Sequence, residues 1–197
     1  MNYFVVKEDY HPTNVYVSDI PAGLTRKYQL LKGISRRQDW PDDLALQFTK
    51  NRPEGMNLTD WVGNQFGWLL VSDRFKRLLE ESGAPDVEYL PVKMTNHKGR
   101  IAAEDCWIVN MLNLKEAVDR GRSVFDVDAA DEDLIFSFDK LVLRDDVIAS
   151  GPVIFRLKER PRLVLVRQDL AERIQQERLT GLLLVETSKF MSNDPNE

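Results

Sequence analysis

The sequence predicts an α+β protein in which one mixed sheet carries two similar strand–helix–strand units. The first unit, Trp68 to Val92, opens with an uninterrupted apolar run that suits a strand buried on both faces. The second unit, Leu163 to Val185, repeats the same order and aligns without a gap at an offset of 95 positions, so that Val71 matches Val166. Duplication would produce this similarity, and so would the periodicity that any short strand–helix–strand must obey.

Local signals place a helix inside the first unit. Ser72 stands where a helix N-cap belongs, and Gly83 stands where a left-handed residue ends a helix. Between them, Phe75 and Leu79 fall on one apolar stripe, while the opposite face is charged. Each helix must therefore bury its stripe against the sheet, and we expect Phe75 and its counterpart Leu170 to be buried.

The remaining elements are predicted from short apolar runs between turn residues. The strand candidates are Tyr3 to Val6, Val15 to Val17, Leu44 to Phe48, Val87 to Lys93, Asp105 to Leu112, Leu134 to Phe138 and Leu141 to Leu143. Turn residues at Asn96 to Gly99 make the fourth and fifth of these a hairpin. The run Val153 to Leu157 fits either a strand or one helical turn. Asn113 and Glu116 resemble a capping box, which predicts a short helix ending at Gly121.

Composition predicts one globular domain. The 197 residues are 43% apolar and 30% charged, as in ordinary soluble proteins. We expect a single domain over residues 1–197, with an N-terminal lobe of unclear pattern (1–59), a main region (60–186) and a fraying tail (187–197). No signal peptide and no membrane-spanning run is recognisable, which predicts a cytoplasmic protein. Cys106 is the only cysteine, so no intrachain disulfide is expected.

The net charge of −5 is unevenly distributed. Between Asp126 and Asp146 there are eight acids and two basic residues, whereas Leu24 to Arg37 contains five basic residues and no acid. The candidate binding residues in the acidic segment are Asp126, Asp128, Asp131, Glu132 and Asp133. They lack the glycine and terminal glutamate of a calcium loop. A solvated loop and a surface for a basic partner protein are equally good interpretations, and the acidity argues against nucleic acid as the partner.

Catalytic and cofactor motifs are missing from the sequence. It contains no Walker loop, GxGxxG, HExxH or GxSxG pattern, and we predict no cofactor, metal site or catalytic residue. His97, Cys106 and Asp105 could form a base, nucleophile and orienting group, since a hairpin brings such positions face to face. A turn histidine and a core cysteine explain the same residues. We therefore predict that Cys106 is buried on the strand face that carries Ile108 and Leu112.

Several phrases of the sequence resemble immunity protein family eleven of bacterial polymorphic toxin systems. They are Asp60 to Val62, Trp68 to Phe75, Gly83 to Val92, Phe155 to Leu157, Leu163 to Val166 and Leu179 to Leu182. The resemblance covers Asp60 to Val185, and the first 50 residues show no family pattern. Arg167 stands where the family commonly has a serine.

The resemblance implies a non-enzymatic antitoxin that binds a cognate secreted toxin and blocks it by stoichiometric occlusion, in the setting of bacterial competition and type VI secretion. An antitoxin must meet its toxin where the toxin acts. If the two proteins meet in the cytosol, the toxin is expected to be a nuclease, a deaminase or a nucleotide-consuming enzyme. The acidic segment favours a toxin with a basic active site, such as that of a nuclease. The partner is then a protein, with no role for nucleic acid or membrane. The alternatives are a small hydrolase or transferase that uses His97 and Cys106, and a generic protein-binding adaptor.

Overall fold

The computed structural model describes residues 2–21, 23–112 and 114–192. The strands are β1 Tyr3–Glu8, β2 Tyr16–Val17, β3 Ala45–Gln47, β4 Trp61–Asn64, β5 Leu69–Ser72, β6 Val87–Thr95, β7 Ile101–Met111, β8 Val124–Val127, β9 Ile135–Lys140, β10 Ile154–Arg156, β11 Val164–Arg167 and β12 Leu182–Glu186. The α-helices are α1 Asp73–Glu81, α2 Asp145–Ser150 and α3 Gln168–Gln176, and two 3-10 helices span Lys27–Leu31 and Thr187–Lys189. These elements confirm the α+β class with a mixed sheet.

Both strand–helix–strand units are present, as β5–α1–β6 and β11–α3–β12. In each unit the two strands are not neighbours in the sheet. A third strand, which is not part of the unit, lies between them and pairs antiparallel with both. That third strand is β7 in the first unit and β1 in the second. The helix N-cap of the first unit is Ser72, whose hydroxyl accepts a hydrogen bond from the Phe75 N–H at 3.2 Å, as the sequence predicted.

The expectation that both units share one sheet is wrong. The first unit belongs to a six-stranded sheet with the order β2-β4-β5-β7-β6-β3, and the second to a four-stranded sheet with the order β10-β11-β1-β12. The reason is the position of β1, which fills the gap between β11 and β12 and so completes a separate sheet.

Three hydrophobic cores hold these layers together. The central core lies between the two sheets and contains the apolar stripes of α1 and α3, including the buried Phe75 and Leu170. The second core lies between the other face of the six-stranded sheet and the N-terminal lobe. The third lies between the other face of the four-stranded sheet and the segment that contains α2, β8 and β9. Because both helices contribute to one core, the two units are packed as a single body.

A single carboxylate also links the two units. Asp60 precedes β4, and its side chain accepts hydrogen bonds from the Ser72 hydroxyl at 2.7 Å and from the Thr180 N–H at 3.0 Å. Ser72 opens α1, whereas Thr180 lies in the turn between α3 and β12. Asp60 therefore connects the start of one helix to the loop that follows the other.

The predicted helix from Asn113 to Gly121 is wrong over its described part, while Asn113 itself lies outside the described residues. Ala117 and Val118 are buried in the third core, and their N–H groups donate to the Glu159 carboxylate rather than along a helix. The predicted strand Leu141 to Leu143 is reduced to an isolated bridge between Leu143 and Val118. Neither α2 nor β8 is predicted from the sequence.

The expected fraying does not hold for residues 187–192, whereas residues 193–197 lie outside the described part of the chain. Phe190 is buried in the third core, where its ring meets the ring of Phe138 at 6.4 Å. The Ser192 N–H donates to the Phe138 carbonyl at 2.8 Å, which ties this segment to β9. Among the described helices, none is long and apolar enough to cross a membrane.

Candidate functional site

The candidate acidic residues lie on one hairpin, which consists of β8, β9 and the loop between them (residues 124–140, here the acidic hairpin). It forms a two-stranded sheet separate from the two larger sheets. Its inner side is anchored in the third core by Ile135 and Phe138, whose ring meets that of Phe125 at 6.3 Å. The Ile135 N–H also donates to the Glu159 carbonyl at 2.7 Å. The hairpin is therefore fixed on the body of the protein through its inner side.

Local hydrogen bonds give the acidic loop a defined shape. The Asp128 carboxylate accepts from the Ala130 N–H at 2.8 Å, and the Asp131 carboxylate accepts from the Asp133 N–H at 3.1 Å. The Arg120 guanidinium donates to the Asp133 carbonyl at 2.6 Å, so it binds the backbone of the loop. These contacts hold the main chain while the carboxylates stay at the surface.

Four of the five candidate carboxylates are on exposed residues, and Asp128 is half-buried. Asp126 accepts a hydrogen bond from the Ser137 hydroxyl at 2.8 Å, and this neutral partner leaves its charge uncompensated. Asp131 and Asp133 border a cavity of about 560 Å³ that also contains Arg144 and Lys158. The structure thus brings the five candidate residues together on one hairpin.

An apolar groove lies beside the acidic hairpin and was not found from the sequence. This aromatic groove has a volume of about 430 Å³ and is lined by Tyr28, Leu31, Lys32, Asp128, Leu134, Ile135, Phe136, Glu159, Arg160, Pro161 and Arg162. Its two aromatic residues are largely exposed, Phe136 by 65% and Tyr28 by 58%. The groove joins three segments that are far apart in the chain, so no local pattern could have predicted it.

The groove also brings the basic N-terminal segment next to the acidic one. Lys32 follows the first 3-10 helix and lies 5.7 Å from the centre of the Tyr28 ring. Arg36, by contrast, is buried and donates to Asp39 at 2.8 Å and to the Thr25 carbonyl at 2.9 Å. Part of the basic segment is therefore structural, and part of it faces the same groove as Asp128.

Comparison with known proteins places this arrangement in a family. A family model described as Immunity protein family (Imm11) matches residues 2–189. The chain belongs to the Imm11 immunity protein family. A search of curated proteins found no match.

The Imm11 match is longer than the resemblance seen in the sequence, which began at Asp60. It includes the N-terminal lobe, whose sequence shows no family pattern by itself. This lobe is part of the same fold because β1 completes the four-stranded sheet and β3 pairs with β6. Arg167 opens α3 without a side-chain cap and instead binds the Asp169 carboxylate.

The residues of the alternative catalytic site have separate environments in this Imm11 chain. Cys106 is 2% exposed and belongs to the second core together with Ile108, which confirms its predicted burial, whereas Leu112 lies beyond the end of β7. Burial, and secondarily the charge of Asp105, raises the pKa of the Cys106 thiol to about 12. His97 is bound through Nε2 to the Thr49 carbonyl at 3.1 Å. Within the described residues, no three metal-ligating side chains converge on one point.

Proposed function

We propose that this immunity protein blocks a cognate toxin in the cytosol by stoichiometric occlusion, with the acidic hairpin facing a basic region of the toxin. Membership of the Imm11 family supports the immunity role. We choose this surface because its loop is held in place while the side chains of Asp131, Glu132 and Asp133 are exposed. The toxin that fits best has a basic active site, as a nuclease has.

The anchoring of the loop favours tight binding. Because its main chain is already held by Arg120 and by two internal carboxylate contacts, little conformational entropy is lost when a partner binds. The clustered negative charge also accelerates the encounter with a positively charged protein. Protection of a cell requires nearly every toxin molecule to be bound, which at low concentrations demands a Kd of about 1 nM, or roughly −12 kcal/mol.

Titration of purified toxin with this protein tests occlusion against catalysis. We expect the toxin activity to fall linearly to a sharp end point at a fixed molar ratio, with the toxin mass unchanged. Inactivation at ratios well below that end point, or a covalent change in the toxin, would show an enzyme and favour the hydrolase or transferase alternative.

Charge reversal tests the binding surface. Replacement of Asp131, Glu132 and Asp133 by lysine together should slow association and cost several kcal/mol in binding free energy, since several interfacial charge pairs are lost at once. For the wild type, the association rate measured by stopped flow should fall steeply as salt is added.

The matched control reverses three other exposed acids, Asp9, Asp42 and Glu54, which gives the same change in net charge. We expect this control to associate at close to the wild-type rate. Equal slowing of both variants would show a general charge effect, and unchanged binding by the hairpin variant would make the acidic hairpin a solvated loop.

A further inference from the structure

Several basic side chains lie in or next to the aromatic groove. Lys32, Arg160 and Arg162 line it, and the buried Arg156 contacts another lining residue, Pro161. The three arginines all donate to neutral oxygen atoms. Arg160 binds the Ser192 hydroxyl at 2.8 Å, and Arg162 binds the Gln65 carbonyl at 3.1 Å. The guanidinium of Arg156 binds the carbonyls of Pro161 and Gly67, and its Nε has no hydrogen-bond partner in the described structure.

Burial and repulsion act against the positive charge of two of these arginines. Burial, followed by repulsion from Arg162, lowers the pKa of Arg156 to about 10. The same two causes, in the same order, lower the pKa of Arg160. Like charges held close together in a partly buried site raise each other's free energy, and a carboxylate placed among them would remove that cost.

The two acids that line the groove already accept hydrogen bonds from backbone N–H groups. The Glu159 carboxylate accepts from the N–H groups of Ala117 and Val118, at 3.4 and 3.0 Å. The Asp128 carboxylate accepts from Ala130 within its own loop. Five charged side chains thus line the groove, three basic and two acidic, so its lining has a net positive charge beside an apolar surface, whereas the adjacent acidic loop is negative.

The apolar part of the groove has the composition of a binding hot spot. Phe136 and Tyr28 project large exposed rings, and Leu31, Leu134 and Pro161 provide apolar surface around them. Pockets with aromatic and arginine side chains, bordered by polar groups, supply most of the free energy of protein–protein interfaces. Charge alone gives the acidic hairpin a rapid encounter, whereas a filled apolar pocket gives slow dissociation.

We infer that the aromatic groove is a second docking site for the toxin and accepts a toxin segment that presents a large apolar side chain next to a carboxylate. This inference rests on the proposed function. The toxin then contacts the immunity protein at two neighbouring places of opposite charge, a basic region on the acidic hairpin and an acidic, apolar segment in the groove. Such a pattern selects one orientation of the partner and disfavours toxins with a uniformly basic surface.

The experiment measures binding to a catalytically inactive variant of the cognate toxin. The variants are Phe136→Ser and Arg162→Glu, with Tyr10→Ser as the matched control because Tyr10 is 63% exposed and lies outside the groove. We expect each groove variant to raise the dissociation rate at least about 30-fold with little change in the association rate. The control should stay within about threefold of the wild type.

The outcomes separate this inference from the proposed function. If the wild type does not inhibit the active toxin in the titration described above, the proposed function fails. If the wild type inhibits and the groove variants, shown to be folded by their thermal melts, dissociate at the wild-type rate, only the groove is ruled out as a docking site. If Phe136→Ser instead converts a dimer to a monomer in sedimentation without changing toxin binding, the groove is a self-association surface and the inference is overturned.

A toxin variant that reverses one carboxylate to lysine provides a further check. It should restore slow dissociation to Arg162→Glu, because the swapped charges attract again. A set of single carboxylate reversals covering the toxin surface, none of which restores slow dissociation, would contradict an acidic occupant of the groove.

Discussion

Single residues in this protein show how burial suppresses ionisation and how hydrogen bonds can outweigh burial. Cys106 lies in the second core on β7, between β5 and β6, and burial raises the pKa of its thiol to about 12. The thiolate is the reactive form of cysteine, so at neutral pH almost none of the reactive species is present. Burial also blocks the approach of a reagent.

The first prediction is that Cys106 resists alkylation in the folded protein. Iodoacetamide should react slowly up to about pH 9, and it should react rapidly once the protein is unfolded in denaturant. Mass spectrometry of quenched samples measures the modified fraction. Fast labelling of the native protein with a midpoint below pH 8 would reveal an activated thiol and revive the catalytic alternative.

In Glu88, hydrogen bonds outweigh the effect of burial on the pKa. It is buried in β6, and burial raises its pKa, but hydrogen bonds from the Ser35 hydroxyl, the Arg36 N–H and the Asn110 amide lower it more. The net effect is a pKa below the ordinary value of 4.5. Because the pKa is lower in the folded state, ionised Glu88 stabilises the protein above about pH 4.5, and this contribution is lost as the pH falls through the folded-state pKa.

The second prediction concerns the substitution Glu88→Gln. It should lower the free energy of unfolding at pH 7, and the difference from the wild type should shrink as the pH falls below about 4.5. Urea unfolding at a series of pH values measures it. An equal substitution at the exposed Glu104 serves as control and should change stability by less than about 0.5 kcal/mol. If the difference in unfolding free energy stays constant down to pH 3, the ionised carboxylate of Glu88 is not what stabilises the folded protein.

At the scale of elements, the two strand–helix–strand units match in backbone detail. Gly83 and Arg178 occupy equivalent positions after α1 and α3, and their φ angles are 66° and 54°. Asp86 and Gly181 are also equivalent, with φ angles of 50° and 85°. The units therefore have left-handed residues at equivalent positions. In each unit an antiparallel strand also lies between the two strands of the unit, β7 in the first and β1 in the second. These shared features favour duplication more strongly than the apolar pattern alone.

The third prediction is that Arg178→Gly stabilises the protein by up to about 1 kcal/mol, because only glycine adopts a positive φ without steric cost. The reverse comparison, Gly83→Ala, should destabilise by about 1 kcal/mol, since a side chain there meets open space and only backbone strain is added. Thermal unfolding measures both. No gain from Arg178→Gly would mean that the arginine side chain offsets the strain through its own contacts.

The elements show what the sequence could and could not predict. The N-cap at Ser72, the left-handed Gly83 and the turn at Asn96 to Gly99 depend on neighbouring residues, so a local pattern was sufficient. The pairing of β1 with β11 and β12 depends on residues at opposite ends of the chain, and no local signal encodes it. The failed helix prediction at residues 114–121 has the same cause, because a distant carboxylate, Glu159, binds the N–H groups there.

The candidate site, too, was only partly predictable from the sequence. A run of acids within the acidic hairpin was visible as a change in composition, and the structure keeps those residues on one hairpin. The aromatic groove needed Tyr28, Phe136 and Arg162 to meet, and these come from three segments with no common pattern. An exposed aromatic residue on a polar hairpin, such as Phe136, was the only sequence signal that could have pointed to it.

At the scale of the whole molecule, the central core makes the two units depend on each other. The stripes of α1 and α3 are buried in the same cluster, and Arg173 of α3 forms an ion pair with Glu81 of α1 at 2.6 Å. Asp60 adds hydrogen bonds to both units. A change in one unit must therefore alter the packing of the other.

The fourth prediction is that Leu170→Ala, in the second unit, destabilises the whole protein by about 2–5 kcal/mol through the cavity it leaves in the central core. Native-state hydrogen exchange should show loss of protection in β5 and β7 of the first unit as large as that in β11 and β12. Loss of protection confined to the second unit would show that the units unfold independently.

The position of β1 has a consequence for how the cell obtains its protection. Ribosomes build a protein from its N-terminus at about 5–20 residues per second, so β1 is made before its partners β11 and β12, which follow roughly ten seconds or more later. During that time the apolar residues of β1 have no sheet to join, and the central core cannot close. On the proposed function, a nascent chain therefore gives no protection against a toxin that has already entered the cell, and a cell under attack survives on the finished copies it made beforehand.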